Sequence, residues 1–570
     1  MAPPNEPSKQ DDATNANVED ETTTQPVTVP DAGDTGEGKL KMIVQLVKKC
    51  LGVKDIASMR LSLPASLLEP IPNLEYWHYL DRPDLFAAIN DSDDPFERML
   101  AVLRFTFSKD LKFIRGKICK PYNSVLGEHF RAHWDVLPVS YPADPSQPPI
   151  QHLYLSEAAA QSSLSALSAA SLARRPFSES ASMKSGKSGK SGVSSILSRK
   201  EAYSSPGTPG RSTPATSPEL FEAELDAQMS NLSLGNINAS KSGDLIEGDD
   251  APPSLADHPR VRVAFLTEQI SHHPPVSAFA AYCPSRQIEM TGIDQISAKV
   301  SGTTIRITPG NFNKGIFVRI KGGPGAGETY QITHPTAAVN GILRGSFYAT
   351  ISDSTIITCE GGPNKDGPHL RAIIEYKEES WLGKAHFLCE GVIHTYTPGS
   401  SEHQEWTKVK HVPRSRVLAQ FDGSWKHVIR WKRPSEPDSS YATLIDLSTL
   451  HVIPKSVREL DRQLPDESRK LWENVTSNLL KKEYSEATKH KLAIEQRQRD
   501  DAAERKRKGQ KFVPKYFEDD LESGIPTLTE AGRKALEEEI KEQGPYPLEP
   551  ITEAEEGEQD TASPATETSS

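Results

Sequence analysis

A series of short apolar segments between about residues 261 and 432 constrains the fold of this chain more than any other feature. Runs of five to eight apolar and β-branched residues alternate there with clusters of Gly, Pro, Asn and Asp. The clearest runs are VRVAFLTE, TTIRIT, GIFVRI, ETYQIT, STIITCE, RAIIEY and HFLCEGVIHTY. This spacing predicts an antiparallel sheet, sandwich or barrel, and it lacks the strand–helix–strand alternation of a parallel sheet.

Helical patterns flank the strand-rich region on both sides. From Lys39 to Leu51 an apolar stripe faces an opposite stripe of lysines and glutamine, which predicts a short amphipathic helix. The apolar stripe consists of Leu40, Ile43, Val47 and Cys50, and the polar one of Lys41, Gln45, Lys48 and Lys49. After the strands, helices are predicted at about 466–482, at 485–507, and from a candidate capping box of Thr527 and Glu530 to about Glu542.

Three segments are too polar to bury a core, and we predict that they are disordered. They are residues 1–37, a Ser/Pro/Gly-rich stretch at 159–257, and an acidic tail at 546–570. The middle stretch is flanked by the strand-like segments IQHLYLSE and VRVAFLTE, so it is predicted to be a long insert within one domain spanning residues 38–545. Surface loops tolerate such insertions because closure entropy grows slowly with length. The insert is either a phosphorylated segment, through its Ser-Pro and Thr-Pro pairs, or a spacer.

The composition narrows the class of protein. The mean hydropathy is −0.54, and no apolar run approaches the ~20 residues of a membrane-spanning helix. The first residues lack the apolar core of a secretory signal. Five cysteines without a CxxC pair favour a reducing compartment. The net charge of −12 argues against bulk electrostatic binding to nucleic acid or to an acidic membrane, but the charge is unevenly spread and local basic segments still matter. We therefore expect a cytoplasmic protein whose contact with membranes is peripheral.

The most unusual string is EQISHHPP at residues 268–275. Two prolines restrict the backbone on both sides of the turn, so His272 and His273 are expected to be held in fixed directions. Imidazoles can donate hydrogen bonds to an anion. A structural turn with two partly exposed histidines is the alternative. A zinc site would need further ligands at characteristic spacing, and a catalytic site would need a nucleophile or a carboxylate pair that linear sequence cannot reveal.

Two further strings carry cationic and amide groups. In KPYNSVLGE, at residues 120–128, Lys120 supplies a positive charge and Asn123 an amide donor. In KLAIEQRQR, at residues 491–499, the four-residue spacing places Lys491, Glu495 and Arg499 on one helical face. Taken alone, each string also fits an ordinary solvated surface.

At these three strings the chain resembles the oxysterol-binding protein family. Its fingerprint EQxSHHPP is matched by EQISHHPP, and its motif KPxNPxLGE is matched by KPYNSVLGE, with Ser124 where proline is common. The family's late helix carries Lys, Glu and Arg four residues apart, as here. The resemblance, which covers about residues 39–520 apart from the insert, implies a mainly β (α+β) fold: an incomplete antiparallel β-barrel with a central lipid tunnel, an N-terminal lid helix and C-terminal helices.

The resemblance also implies a ligand and a site. The residues expected to hold the headgroup of phosphatidylinositol 4-phosphate are Lys120, Asn123, His272, His273, Lys491 and Arg499. Glu495 would belong to the same site by orienting Lys491 and Arg499. No catalytic residue, metal or cofactor is implied. The implied activity is exchange of this phosphoinositide for a sterol or phosphatidylserine between membranes, and the alternatives are a sensor or scaffold without net transfer and a lipid hydrolase, for which no G-x-S-x-G elbow is found.

The resemblance further implies a short, fungal-type member, since the polar residues before Lys39 leave no room for an upstream domain. The expected partners are membrane lipids at endoplasmic reticulum, Golgi or plasma-membrane contacts. A receptor in the endoplasmic reticulum is a weaker expectation, because the nearest acidic phenylalanine motif, residues 219–223, matches poorly.

Overall fold

A computed structural model describes most of the chain outside the predicted insert and tails. The described residues are 27–28, 36–50, 52–56, 61–63, 65–115, 119–144, 146–151, 258–302, 304–341, 347–363, 367–379, 385–434 and 440–551. The predicted insert, residues 159–257, lies outside this set, as do the weak receptor motif at 219–223 and most of both predicted tails.

Nine α-helices are assigned in the described residues. They are α1 Gly36–Cys50, α2 Asn73–Tyr76, α3 Pro83–Ala87, α4 Pro95–Ser108, α5 Lys112–Arg115, α6 Ser468–Leu471, α7 Glu473–Leu480, α8 Tyr484–Lys508 and α9 Glu530–Ile540. Seven short 3₁₀ helices accompany them at Ala65–Leu67, Ala88–Asn90, Pro284–Arg286, Glu402–Glu405, Val409–His411, Arg414–Arg416 and Leu460–Arg462.

Eighteen strands are assigned in the same residues. They are β1 Val27–Thr28, β2 Leu61–Ser62, β3 His129–Val136, β4 Val261–His272, β5 Pro275–Cys283, β6 Ile288–Asp294, β7 Ile296–Ser301, β8 Thr304–Pro309, β9 Ile316–Ile320, β10 Glu328–Ile332, β11 Thr336–Asn340, β12 Tyr348–Ser352, β13 Ser354–Gly361, β14 His369–Tyr376, β15 Leu388–Tyr396, β16 Val417–Ser424, β17 Val428–Lys432 and β18 Ala442–Asp446. All seven predicted runs form strands.

Twelve strands form one antiparallel sheet, which confirms the predicted mainly β class. Its order is β18-β17-β16-β15-β14-β13-β10-β9-β6-β5-β4-β3. A separate sheet of four strands has the order β12-β11-β8-β7, and the short strands β1 and β2 pair in parallel. Within the described ranges no pairing joins the two edge strands, β3 and β18, so the large sheet is open in its hydrogen bonding.

Most of the strand predicted before the insert lies outside the described residues. We expected IQHLYLSE at 150–157, but of this segment only Ile150 and Gln151 are described, and Ile150 makes an isolated bridge with Ser140. The neighbour of β4 is β3, in the register His129↔Glu268 to Val136↔Val261. The pattern missed β3 because six of its eight residues are buried without interruption, so the polar alternation that marks a half-exposed strand is absent.

Strand β4 is buried on both faces, and alternate side chains enter different cores. Val263 and Phe265 join the main core with α3 and α4. Ala264 and Leu266 pack with residues of α9 and of the segment before it. Helix α9 therefore covers one face of the sheet while α3 and α4 lie against the other.

Helix α1 packs on the four-stranded sheet. The predicted apolar residues Val47 and Cys50 are buried against Val300, whereas Lys48 and Lys49 are exposed. The amphipathic helix predicted for 39–51 is thus confirmed, with three further residues at its start.

Two details of the C-terminal helices correct the sequence analysis. The helix predicted for 466–482 is two helices, α6 and α7, which meet at the buried Trp472. Helix α9 is capped by Thr529, whose hydroxyl accepts a hydrogen bond from the Gly532 N–H at 3.0 Å. Thr527, the predicted cap, instead accepts a backbone hydrogen bond from Glu518. The described chain continues past the predicted domain end at 545 as far as 551.

Candidate functional site

The loop that precedes β3 and the turn that ends β4 lie side by side. The N–H of Gly127 donates to the carbonyl of Gln269 at 2.9 Å, and the N–H of Gln269 donates to the carbonyl of Glu128 at 2.8 Å. The strings KPYNSVLGE and EQISHHPP are therefore neighbours at one end of the sheet, although more than a hundred positions separate them.

The loop carrying Lys120 and Asn123 is anchored by a buried tyrosine. Tyr122 is fully buried, stacks near Trp472 with ring centroids 4.9 Å apart, and shares a hydrogen bond of 3.0 Å with Thr476. This ring fixes the loop, in which Lys120 and Asn123 are exposed. The Lys120 ammonium donates to Asn123 Oδ1 at 2.7 Å and to the Pro121 carbonyl at 2.9 Å.

Ser124, where the family commonly has proline, is buried and makes a contact that proline cannot make. Its hydroxyl accepts a hydrogen bond of 3.2 Å from the Asn73 side chain in α2. The departure from the family motif therefore exchanges a rigid ring for a side-chain hydrogen bond within the same turn.

Glu128 ties this loop to the C-terminal helices. Its fully buried carboxylate accepts hydrogen bonds from the Val125 N–H at 3.0 Å, the Ser468 hydroxyl at 2.6 Å and the Trp472 indole at 3.0 Å. Burial raises the pKa of Glu128 to about 7, and the three donors oppose that rise. The sequence pattern assigned Glu128 no role, because two of its three donors, Ser468 and Trp472, lie in a distant segment of the chain.

Glu268 plays a matching part in the second string. Its buried carboxylate accepts hydrogen bonds from the backbone N–H groups of Lys515 at 2.7 Å and Tyr516 at 2.8 Å. Burial raises the pKa of this carboxyl, while the backbone donors oppose the rise. Glu268 thus attaches the segment after α8 to the end of β4.

The two histidines form a close pair at the tip of the β4–β5 hairpin. Their ring centroids lie 4.6 Å apart with the planes at 68°, and both residues are half-buried. His272 is the last residue of β4 and pairs with Pro275, the first residue of β5. The sheet therefore fixes the backbone on both sides of the pair.

Helix α8 supplies the third string. Lys491 is buried and its ammonium bonds to Glu495 Oε1 one turn further along the same face. Arg499 is exposed, and its guanidinium donates to Gln496 Oε1 at 3.0 and 3.1 Å. Glu495 thus contacts Lys491, whereas the described partner of Arg499 is Gln496.

The structure brings Lys120 and Lys491 into electrostatic contact. The pKa of Lys120 is lowered to about 8, first because surrounding protein atoms desolvate its ammonium, and also because the Lys491 ammonium repels it; the nearby Cys119 opposes this lowering. Two like charges from segments 371 positions apart are unfavourable unless an anion lies between them.

The described residues contain no group of three or more His, Cys, Asp or Glu side chains arranged to hold a metal ion. Within that same part of the chain, no helix has the length and apolar character needed to cross a bilayer.

Comparison with known proteins identifies the family. The model of the oxysterol-binding protein family matches residues 42–161 and 254–539. The oxysterol-binding protein-like protein 1 of Schizosaccharomyces pombe is 38% identical over 507 residues, which cover 89% of this chain and 92% of that protein. The chain therefore belongs to the oxysterol-binding protein family, which consists of lipid-binding and lipid-transfer proteins rather than enzymes.

Two other similarities are more distant. The human oxysterol-binding protein-related protein 11 is 26% identical over 460 residues, and this chain spans 45% of its length. A crystal structure of the Osh1 ORD domain in complex with ergosterol is 16% identical, covers 88% of this chain and 89% of its own, and has a TM-score of 0.48.

Proposed function

We propose that this chain binds the headgroup of phosphatidylinositol 4-phosphate and exchanges this lipid for a sterol or phosphatidylserine between membranes. The proposed contacts to the headgroup are Lys120, Asn123, His272, His273, Lys491 and Arg499, with Glu495 positioning Lys491. The observation that carries the proposal is the pair of backbone hydrogen bonds that holds the loop of Lys120 and Asn123 beside the histidine hairpin, in a chain of the oxysterol-binding protein family.

The chemistry of these groups suits a phosphate monoester. Two ammonium groups and a guanidinium supply charge-assisted hydrogen bonds, which are shorter and stronger than neutral ones. An anion bound between Lys120 and Lys491 would convert their repulsion into attraction. Glu495 is an anion itself, so it would act on the ligand through Lys491 and not by direct contact.

Lipid exchange requires a dry compartment for the acyl chains. Removing a chain from a bilayer costs about 0.8 kcal/mol per methylene, which is roughly 14 kcal/mol for eighteen carbons. We propose that the twelve-stranded sheet curves around such a compartment as an incomplete barrel and that α1 serves as its lid. Among the described side chains, the apolar contact of α1 with the small sheet is built around Val47, Cys50 and Val300, and a contact of this size suits a helix that must detach.

The proposal is tested by mixing purified protein with vesicles that contain phosphatidylinositol 4-phosphate and measuring how much of it becomes inaccessible to a fluorescent headgroup probe. We expect masking of one lipid per protein, lost in the variant His272→Ala/His273→Ala. A matched control, His386→Ala/His411→Ala, removes two exposed histidines elsewhere and should mask like the wild type.

Competition experiments then test whether a sterol or phosphatidylserine is the second ligand. Sterol or phosphatidylserine in the same vesicles should reduce masking if either shares the compartment, and transfer between two vesicle populations should follow. Masking of the phosphoinositide without net transfer would favour a sensor or scaffold function. A folded wild-type protein that masks no phosphoinositide would contradict the proposal.

A further inference from the structure

The end of α8 and the loop after it form a surface that the proposed exchange does not use. We define the basic tip as residues 505–513. It contains five basic residues and no acidic one, in a chain whose net charge is −12. The basic residues are Arg505, Lys506, Arg507, Lys508 and Lys511, all of them exposed except Arg505, which is half-buried.

Two of these cations share a single carboxylate. Lys508 Nζ lies 2.7 Å and Arg507 Nη2 3.8 Å from a single carboxylate oxygen of Glu504. One negative charge is therefore shared by two positive ones. Basic residues in the last turn of a helix also stabilise it by interacting with the helix dipole. That effect explains the cations but not the exposed apolar residue that follows them.

Val513 is that residue, and it has the largest exposed fraction, 77%, among the large apolar side chains of the described ranges. Its neighbour Pro514 is buried, and Phe512 packs near the guanidinium of Arg505, 5.9 Å from the ring centroid. The backbone on both sides is thus held, and Val513 is presented to solvent next to the cations.

The basic tip lies beside the proposed headgroup site. A Cβ placed on Gly127 would lie 3.4 Å from the ring of Phe512, so the tip contacts the loop that bears Lys120 and Asn123. The acidic residues 518–522 follow only after Tyr516 and Phe517 have turned into the core. Beyond them Gly524 lies against Lys314, in the segment before β9.

We propose that the basic tip docks the protein on an anionic membrane surface, with Val513 entering the interface and the cations facing lipid phosphates and carboxylates. This inference rests on the proposed function, because docking here would bring the headgroup site close to the bilayer from which lipid is taken. The occupant follows from charge complementarity: basic side chains near an anionic leaflet are attracted to it, and an adjacent apolar side chain adds burial.

The test is co-sedimentation of the full chain with vesicles of phosphatidylcholine, with or without phosphatidylserine, and free of phosphoinositide. We expect binding only to the anionic vesicles, weakened by added salt. The variant Lys506→Gln/Arg507→Gln/Lys508→Gln should reduce partitioning by roughly a hundredfold, since each of the three charges accounts for roughly fivefold. Val513→Asn should reduce it severalfold with the charge unchanged.

A charge-matched control removes cations from the opposite end of the large sheet. Lys408, Lys410 and Arg414 are exposed in the connection between β15 and β16, and Lys408→Gln/Lys410→Gln/Arg414→Gln should sediment like the wild type. Three outcomes would overturn the proposal. The control could lose as much binding as the Lys506–Lys508 variant, that variant could sediment at the wild-type level, or the wild type could bind neutral vesicles equally well.

Failure of docking is distinguishable from failure of the proposed function. A soluble, short-chain phosphatidylinositol 4-phosphate, titrated by calorimetry, reports the headgroup site without a membrane. The Lys506–Lys508 variant should bind it like the wild type, whereas His272→Ala/His273→Ala should lose this binding and still sediment with anionic vesicles.

Discussion

Gly127 and Gln269 are joined by a backbone hydrogen bond of 2.9 Å, which fixes the position of the Lys120 loop relative to the histidine hairpin. Gln269 returns a hydrogen bond of 2.8 Å to the next residue of the loop, Glu128. The pair of bonds continues the β3–β4 ladder by one step beyond His129↔Glu268. Groups proposed to bind one phosphate are therefore held by the same ladder that builds the sheet.

Gly127 is expected to tolerate no side chain at this junction. Its φ is +82°, and an added Cβ would lie 3.4 Å from the Phe512 ring. Gly127→Ala should lower the free energy of unfolding by about 1–2 kcal/mol through the left-handed backbone alone. Chemical denaturation measures this loss. Gly302→Ala also has a left-handed φ, +60°, but open space around it, so it should show the backbone loss without any contribution from the Phe512 contact. A fully stable Gly127→Ala would contradict the expectation.

Headgroup binding should weaken at alkaline pH through Lys120. Its pKa is about 8 in the free protein, so above pH 8 the free protein loses this charge, while a bound phosphate favours the ammonium form. Affinity for soluble phosphatidylinositol 4-phosphate should fall from pH 8 upward, with proton uptake on binding. The affinity of the Lys120→Arg variant should stay constant up to pH 9.5. Calorimetry in buffers of different ionisation enthalpy measures both the affinity and the proton uptake. An equal fall in both proteins would exclude Lys120 as the cause.

Glu495 and Arg499 are expected to act independently. Glu495 bonds to Lys491, whereas Arg499 donates to Gln496. In a double-mutant cycle on headgroup affinity, Glu495→Gln and Lys491→Met should be strongly non-additive, because the first acts only through the second. Glu495→Gln and Arg499→Ala should add within about 0.5 kcal/mol. Additivity in the first pair would show that Glu495 does not position Lys491.

Glu128 should make stability fall as pH rises through the acidic range. Its pKa is about 7 when folded, against an ordinary value of 4.5, so the folded state holds a proton that the unfolded state releases. The resulting stabilisation is fully present below pH 4.5 and is lost as pH rises towards 7. The variant Glu128→Gln has no ionisable group at this position, so it does not lose this stabilisation. The free energy of unfolding of the variant, relative to that of the wild type, should therefore rise by about 1–3 kcal/mol between pH 4.5 and 8.

Denaturant titrations at several pH values measure this difference. Glu402→Gln, which removes an exposed carboxylate, controls for the general effect of one lost charge. The same pH trend in both variants would contradict an origin at Glu128.

Much of the secondary structure was determined by local sequence. Seven strands, β4, β8, β9, β10, β13, β14 and β15, were predicted because alternating and β-branched runs are bounded by Gly, Pro, Asn and Asp, and these preferences act within a few residues. The face of α1 that is buried was also predictable, since Val47 and Cys50 follow helical periodicity. The three motif strings named the candidate site residues because rare local combinations identify a family.

Tertiary structure decided the relationships that local patterns do not contain. Strand β3 was missed because partners on both faces remove its alternation, and the helix break at Trp472 accompanies an indole hydrogen bond to Glu128, 344 positions away. The lowered pKa of Lys120 has its largest cause in desolvation by the folded protein and a smaller one in Lys491, which approaches it only after folding. Periodicity records which residues are buried, whereas the identity of a distant partner is set by packing and electrostatics in three dimensions.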